Sequence, residues 1–321
     1  MMATPALRAL KTAHPQAEIV FEARAFIREL VDGLPTVDAF LEDDGRGVLS
    51  RAARLRRERF DWAVLLPDSA RAAAAPFLAR IPVRVGYARD PLRRALLTRS
   101  LEPPSVDGKR VPVSMIERYL RLTRELGCAD AGEELDVAID ESTRSAVRAR
   151  LEAAGMRDAA GYVVVTPGAN FGASKLWPAE HFAEACDRLA RELGLRTVLA
   201  PGPGEEPIVA AIAERMQEKP VALVDPVTGL AALAALIDDA RLLLTNDTGP
   251  RHIAVACGTP VVVVMGPTDP RHTAHLLERQ RVLREDVDCS PCHLKVCPID
   301  HRCMTRLSPE RVVRAGEELL S

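Results

Sequence analysis

The chain has 321 residues, 47% hydrophobic and 27% charged, with 43 basic against 45 acidic side chains and a net charge of −2. These values exclude a disordered chain; with aromatics at only 4%, they also argue against nucleic-acid binding, which needs a basic excess or stacking platforms. The longest apolar run, near Thr259–Gly266, is far short of the roughly 20 residues of a membrane span. No charged-then-apolar leader opens the sequence, so a cytoplasmic, reducing compartment is expected.

In chain order, a helix is predicted over roughly Thr4–Thr12. Short Val-, Ile- and Leu-rich runs then read as buried parallel strands at Glu18–Glu22, Val37–Leu41, Asp61–Leu66 and Val83–Tyr87. A second series follows at Gly161–Thr166, Arg196–Ala200, Val221–Val224, Arg241–Thr245 and Pro260–Met265. Helical spacing lies between them. In Ala179–Leu193, for example, Phe182, Ala185, Cys186, Leu189 and Leu193 form one stripe. Ser308–Leu320 reads as a closing helix, with Ser308 at the N-cap and Pro309 in the first turn. The fold class expected is α/β, with two doubly wound, Rossmann-like parallel-sheet domains. They are expected over residues 1–150 and 151–321, divided in the polar stretch between about Cys128 and Arg157.

The two halves open differently. The second begins with a strand, a Pro-Gly turn and a helix; the first begins directly with a helix. A doubly wound sheet normally starts with its central, doubly buried strand. The expectation is that the first sheet lacks that strand and that the natural chain begins upstream of Met1.

Two segments carry the chemistry. The first, Pro167-Gly168-Ala169-Asn170-Phe171-Gly172-Ala173-Ser174-Lys175, follows a predicted strand and precedes a helix. Small residues there let backbone N–H groups approach phosphate oxygens, and Lys175, one of only five lysines, would add a positive charge. Otherwise it is a Gly-rich connection with a solvent-facing lysine. The second, Thr245-Asn246-Asp247-Thr248-Gly249-Pro250-Arg251-His252, also joins strand to helix. Asp247 or Thr248 would cap the helix and Gly249 keep its entrance narrow, leaving an anion site with His252 in the first turn. The plainer reading is an N-cap and a partly buried histidine. With Gly202-Pro203-Gly204-Glu205 after a third strand, the set describes a nucleotide-diphosphate cleft, Glu205 accepting hydrogen bonds from a ribose.

Four of the seven cysteines, Cys289, Cys292, Cys297 and Cys303, crowd into a C-x2-C-x4-C-x5-C run. The opening pair suits a structural zinc ion, and an iron–sulfur cluster would use the same ligands. The alternative is a loop of small thiols packing the tail.

The strings "PGANFGASKLWPAEHFAEACDRLA" and "TNDTGPRHIAVACGTPVVVVMGPTDPRHT", supported by "FDWAVLLPDSARAAAAPFLARIPVRVGYARD" in the first half, resemble the ADP-heptose:lipopolysaccharide heptosyltransferases. The resemblance covers nearly the whole chain. It implies a GT-B architecture, two Rossmann-like domains facing a cleft. It also implies an inverting transfer of heptose to the Kdo-lipid A core that requires no cofactor. Under it, Lys175 neutralises the diphosphate leaving group. Gly168, Ala169, Glu205, Asp247, Thr248, Gly249 and His252 hold ADP-heptose, the last four residues through the family's "D-[ST]-G-x-x-H" element. The family's proposed base, an Asp in a Gly-Asp pair after the first strand, would precede Met1; Asp68 and Asp90 are weak stand-ins. The Arg84, Arg89, Arg93, Arg94 and Arg99 cluster is ordinarily a solvated face. The resemblance makes Arg89, Arg93 and Arg94 an acceptor surface, with peripheral contact to the inner membrane. Two rivals stay open: a nucleotide-sugar epimerase of the same architecture, and a non-catalytic nucleotide-sugar-binding protein with a zinc loop.

Overall fold

The computed structural model describes residues 1–156 and 161–321, so Arg157, the far end of the expected linker, lies outside the described residues. The chain forms two compact units. One comprises Met2–Leu135 with Arg271–His275; the other comprises Asp136–Pro270 and Leu276–Ser321, together with Met1. A break at residue 150 would separate the helix Glu141–Ala153 from its partners. That helix belongs to the second unit, packed on the helix Leu230–Asp238, with Arg144 paired to Asp238 and Asp239 at 2.7 Å each. Among the described residues no helix is long and apolar enough to cross a membrane.

In the first unit, the helix Thr4–Ala13 packs against the helix Met115–Arg124. Its parallel strands are β1 (Val20–Ala23), β2 (Ala39–Glu42), β3 (Trp62–Leu65), β4 (Val83–Tyr87) and β5 (Arg99–Leu101), and a small antiparallel ribbon joins β6 (Ser105–Val106) to β7 (Lys109–Arg110). The parallel strands form two separate sheets, β1–β2 and β3–β4–β5. Among the described residues no strand pairs with the second edge of β1 or of β3.

The second unit has one six-stranded parallel sheet: β8 (Tyr162–Thr166), β9 (Arg196–Leu199), β10 (Val221–Ala222), β11 (Leu242–Asn246), β12 (Val261–Val264) and β13 (Gln280–Leu283). Their order is β10-β9-β8-β11-β12-β13. This is the doubly wound arrangement, with its reversal between β8 and β11. Successive side chains of a strand point to opposite faces. Val163, Val165, Leu242, Leu244, Val262 and Val264 therefore meet the helices Ala179–Leu193 and Pro309–Leu320 on one side, where Phe182, Leu189, Val312 and Val313 complete the core. The intervening Val164, Leu243 and Val263 are equally buried, so both faces are covered. That double burial explains the unbroken apolar runs in the sequence. Sequence reasoning missed β5 and β13: β5 has three residues, mostly exposed, and β13 is an edge strand beginning Gln280-Arg281.

Candidate active site

The loops after β8 and β11 leave the sheet on either side of its reversal point, where an open α/β sheet forms a crevice beyond its strand ends. Asn246, buried at the end of β11, bridges them. Its side-chain amide donates to the Pro167 carbonyl at 2.6 Å, and its Oδ1 accepts from Trp177 N–H at 3.3 Å. Deeper in, the Thr166 hydroxyl donates to the Thr245 hydroxyl at 2.6 Å.

Lys175 then reaches across to Asp247, Nζ lying 2.6 Å from Oδ2 and 2.7 Å from the carbonyl oxygen. Both side chains are largely buried, at 11% and 8% exposure. The Thr268 hydroxyl donates to the same carboxylate at 2.8 Å, and the fully buried Arg251 approaches its other oxygen at 3.4 Å. Burial alone would raise the Asp247 pKa. The Lys175 charge and hydrogen bond, with Thr268 and Arg251, outweigh it and hold the carboxyl below its ordinary value. Lys175 and Arg251 thus both face the Asp247 carboxylate, which places cationic side chains at the junction of the two loops.

That charge lies beside a helix entrance. The helix Gly249–Cys257 starts after Thr248, whose backbone is extended and whose side chain makes no capping bond; its hydroxyl contacts Asn246 O and Thr245 Oγ1 instead. Gly249 is exposed, leaving the first-turn amides and the positive end of the dipole open to an anion. His252 lies buried in that first turn.

The third loop meets the first. Glu205 accepts from Gly202 N–H at 2.7 Å, and its carboxyl lies flat against Gly168: a Cβ there would come 1.7 Å from the carboxyl carbon. Gly168 is thus required by close approach. Ala169, next along, is half-buried. The structure therefore brings Lys175 to Asp247 and Gly168 to Glu205, with Thr248, Gly249 and His252 on the adjoining helix. Sequence reasoning passed over Arg251, Thr268 and Asn246. The four-residue spacing of Asp247 and Arg251 was the available signal for the first; the other two contacts are tertiary.

The acceptor expectation needs correction at Arg93. Its side chain is 0% exposed and donates to the Tyr87 and Pro67 carbonyls at 2.7 Å each, and to the Ser69 carbonyl. It pins the loop after β3 to the end of β4 and offers nothing to a ligand. Arg94 is exposed and pairs with Glu102, and Arg89 is exposed. Asp90 caps the helix Pro91–Leu96 through Arg93 N–H at 2.8 Å, and Asp68 pairs with Arg118 at 2.6 Å, so both stand-in bases have structural duties.

The four clustered cysteines line one cavity. Burial, followed by the other three thiols, pushes Cys303 up to about 11. Among the described residues, no three His, Cys, Asp or Glu side chains close around a point that fits a single metal ion.

Two α/β units with parallel sheets, one of them doubly wound with its reversal between β8 and β11, are those of a GT-B glycosyltransferase. The profile of glycosyltransferase family 9 (heptosyltransferase) matches residues 48–302, and the chain belongs to this family. It is 31% identical to lipopolysaccharide heptosyltransferase 2 of Salmonella typhimurium, over 100% of this chain and 95% of that protein. The solved structure of Escherichia coli ADP-heptose lps heptosyltransferase II is 26% identical and aligns with a TM-score of 0.78, covering 99% of this chain and 94% of that one. A family 9 glycosyltransferase structure from Veillonella parvula shares the fold at a TM-score of 0.84 and 24% identity, covering 99% and 92%.

Proposed function

We propose that the protein transfers heptose from ADP-heptose to the inner core of lipopolysaccharide. The observation that carries the donor half is the Lys175–Asp247 pair, which joins two phosphate-ready loops beside an open helix entrance. The diphosphate would lie across the amides of Gly168, Ala169 and Gly249, with Lys175 turned partly from Asp247 to a phosphate oxygen. Glu205 would accept from the ribose hydroxyls, and Asp247, Thr248 and His252 would shape the helix entrance.

In the reaction the acceptor hydroxyl oxygen attacks the anomeric carbon from the face opposite the diphosphate. The carbon–oxygen bond to ADP breaks, its electron pair leaves with ADP, and the hydroxyl proton passes to a base, inverting the centre. Lys175 and the helix amides stabilise the charge growing on departing ADP. This route draws its cation from the chain itself and assigns no catalytic role to a metal. A metal held by the cysteine loop, whether the zinc that the spacing suggests or another, would be structural and take no part in the bond changes.

On the acceptor side, exposed Arg89 and Arg94 would meet the phosphates and carboxylates of a Kdo-lipid A core. Such an acceptor would bring the enzyme to the cytosolic face of the inner membrane as a peripheral protein. Family membership favours transfer over epimerisation or simple binding.

Calorimetric titration with ADP and UDP, followed by transfer assays with ADP-heptose and heptose-deficient lipopolysaccharide, tests this reading. ADP should bind at least tenfold more tightly than UDP, and heptose should appear on the acceptor. A clear UDP preference overturns the proposal.

A further inference from the structure

Residues 284–301 contain neither helix nor strand. So long an irregular segment inside a compact unit calls for a local restraint. Its backbone is anchored at a few points. Cys292 and His293 N–H groups donate to the Pro267 carbonyl at 3.1 and 2.8 Å, and the Ser290 hydroxyl donates to the Gly266 carbonyl at 2.6 Å. At its far end, Cys303 packs onto Gly266 so closely that a Cβ there would come 2.8 Å from the Cys303 sulfur. Beneath these anchors, Cys289, Cys292, Cys297 and Cys303 line a single cavity of about 70 Å³. All four are free thiols.

The size of that cavity separates the candidate occupants. Four thiolates on one zinc ion, at about 2.3 Å each, stand only about 3.8 Å apart and leave no space between them. Among the described residues no such closure exists. A single water needs about 10–15 Å³ by the same measure, so this void is several atoms wide. A cuboidal iron–sulfur core is a multi-atom body held by four cysteines at its corners.

We propose that Cys289, Cys292, Cys297 and Cys303 ligate a [4Fe–4S] cluster seated in this cavity. Assembly takes two ferrous ions, two ferric ions and four sulfides, so no electron is gained or lost, and the four thiols lose their protons to water as they bind iron. The role is structural, and no electron transfer is invoked.

The cluster would brace the donor site, an extension that rests on the function proposed above. The loop it organises grips the residue next to Lys175. Ser174 N–H donates to the Lys295 carbonyl at 3.0 Å, the Ser174 hydroxyl donates to the Leu294 carbonyl at 2.5 Å, and His301 Nε2 lies 2.7 Å from the Ser174 carbonyl. Gly172, with φ +152°, sits so close that a Cβ would come 2.4 Å from the Lys295 carbonyl oxygen. On the other side, Pro267 precedes Thr268, which bonds Asp247. Both halves of the Lys175–Asp247 pair are therefore held by the cysteine loop.

The full-length protein is purified without oxygen from iron-replete cells and analysed for iron, zinc and acid-labile sulfide. The cluster requires about four irons and four sulfides per chain, with broad visible absorption that bleaches on reduction. Stoichiometric zinc without sulfide, or thiols that hold no metal, overturns it. This reading needs no nucleotide, so it stands or falls apart from the donor assignment. Cys297→Ser, with its fold checked by circular dichroism, should lose most of the iron; full retention overturns that ligand set. If the brace is real, oxidative removal of the cluster weakens ADP binding at least tenfold with far-UV dichroism unchanged. Unaltered ADP affinity in cluster-free protein overturns the brace.

Discussion

Lys175 Nζ lies 2.6 Å from Asp247 Oδ2, so one ammonium group ties together two loops separated by 72 residues. The pair closes a buried junction and, under the proposed function, also offers charge to the diphosphate. Lys175→Ala should lower kcat/KM about 100–1,000-fold, the usual cost of removing a group that stabilises departing charge. It should also destabilise the protein by up to about 3–5 kcal/mol, because Asp247 stays buried with its main partner gone. Arg251 and Thr268 temper that loss. Steady-state kinetics and urea unfolding measure the two effects, and a folded Lys175→Ala enzyme with wild-type kcat/KM would remove Lys175 from the chemistry.

Asp247 also sets an acid limit. Its carboxyl is held below the ordinary value in the folded protein, so the unfolded chain binds the proton more readily. Its stabilising contribution is complete above the unfolded value of about 3.9 and fades as pH falls through the lower, folded value. Asp247→Asn should therefore be less stable at pH 7 and show a shallower loss of stability below about pH 4. Urea midpoints measured from pH 3 to 7 provide the check; parallel curves would contradict it.

Arg93 and Arg94 are neighbours with opposite fates. Arg93→Ala leaves the carbonyls of Tyr87, Pro67 and Ser69 without their donor, and should cost more than about 2 kcal/mol of stability. Arg94→Ala removes an exposed ion pair worth under about 1 kcal/mol. If the acceptor docks there, Arg94→Ala raises acceptor KM with thermal stability unchanged. A KM effect confined to a fully stable Arg93→Ala protein would reverse this assignment.

Gly168 and Glu205 form a second test of the donor site. Gly168→Ala pushes a methyl group into the Glu205 carboxyl and must displace it from Gly202 N–H. If Glu205 holds the ribose, Gly168→Ala and Glu205→Ala should each weaken ADP at least tenfold, and together no more than either alone. Independent, additive losses by calorimetry would separate the two residues.

The split sheet of the first unit should exchange faster than the sheet of the second. β8 is paired on both sides and wholly buried, whereas β1 and β3 each have one strand partner among the described residues. Unpaired ladder groups lower the cost of local opening. Amide exchange by mass spectrometry should show Val20–Ala23 and Trp62–Leu65 deuterated well before Tyr162–Thr166. Equal protection would contradict this.

The strands of the second unit were readable because each is buried on both faces, so burial writes itself into sequence as continuous runs such as Val261–Val264. The helix Ala179–Leu193 was equally plain, since one face alone meets the core. The loops that carry Gly168, Lys175 and Asp247 were visible as small and charged residues at strand ends. That the two loops meet depends on strand order, and order is fixed by crossovers that no local pattern encodes. The same reason hid the burial of Arg93: among five nearby arginines, only the fold reveals that this one is wholly buried. The cysteine spacing singled out four thiols, but the width of the space between them is a distance, and only tertiary structure sets distances.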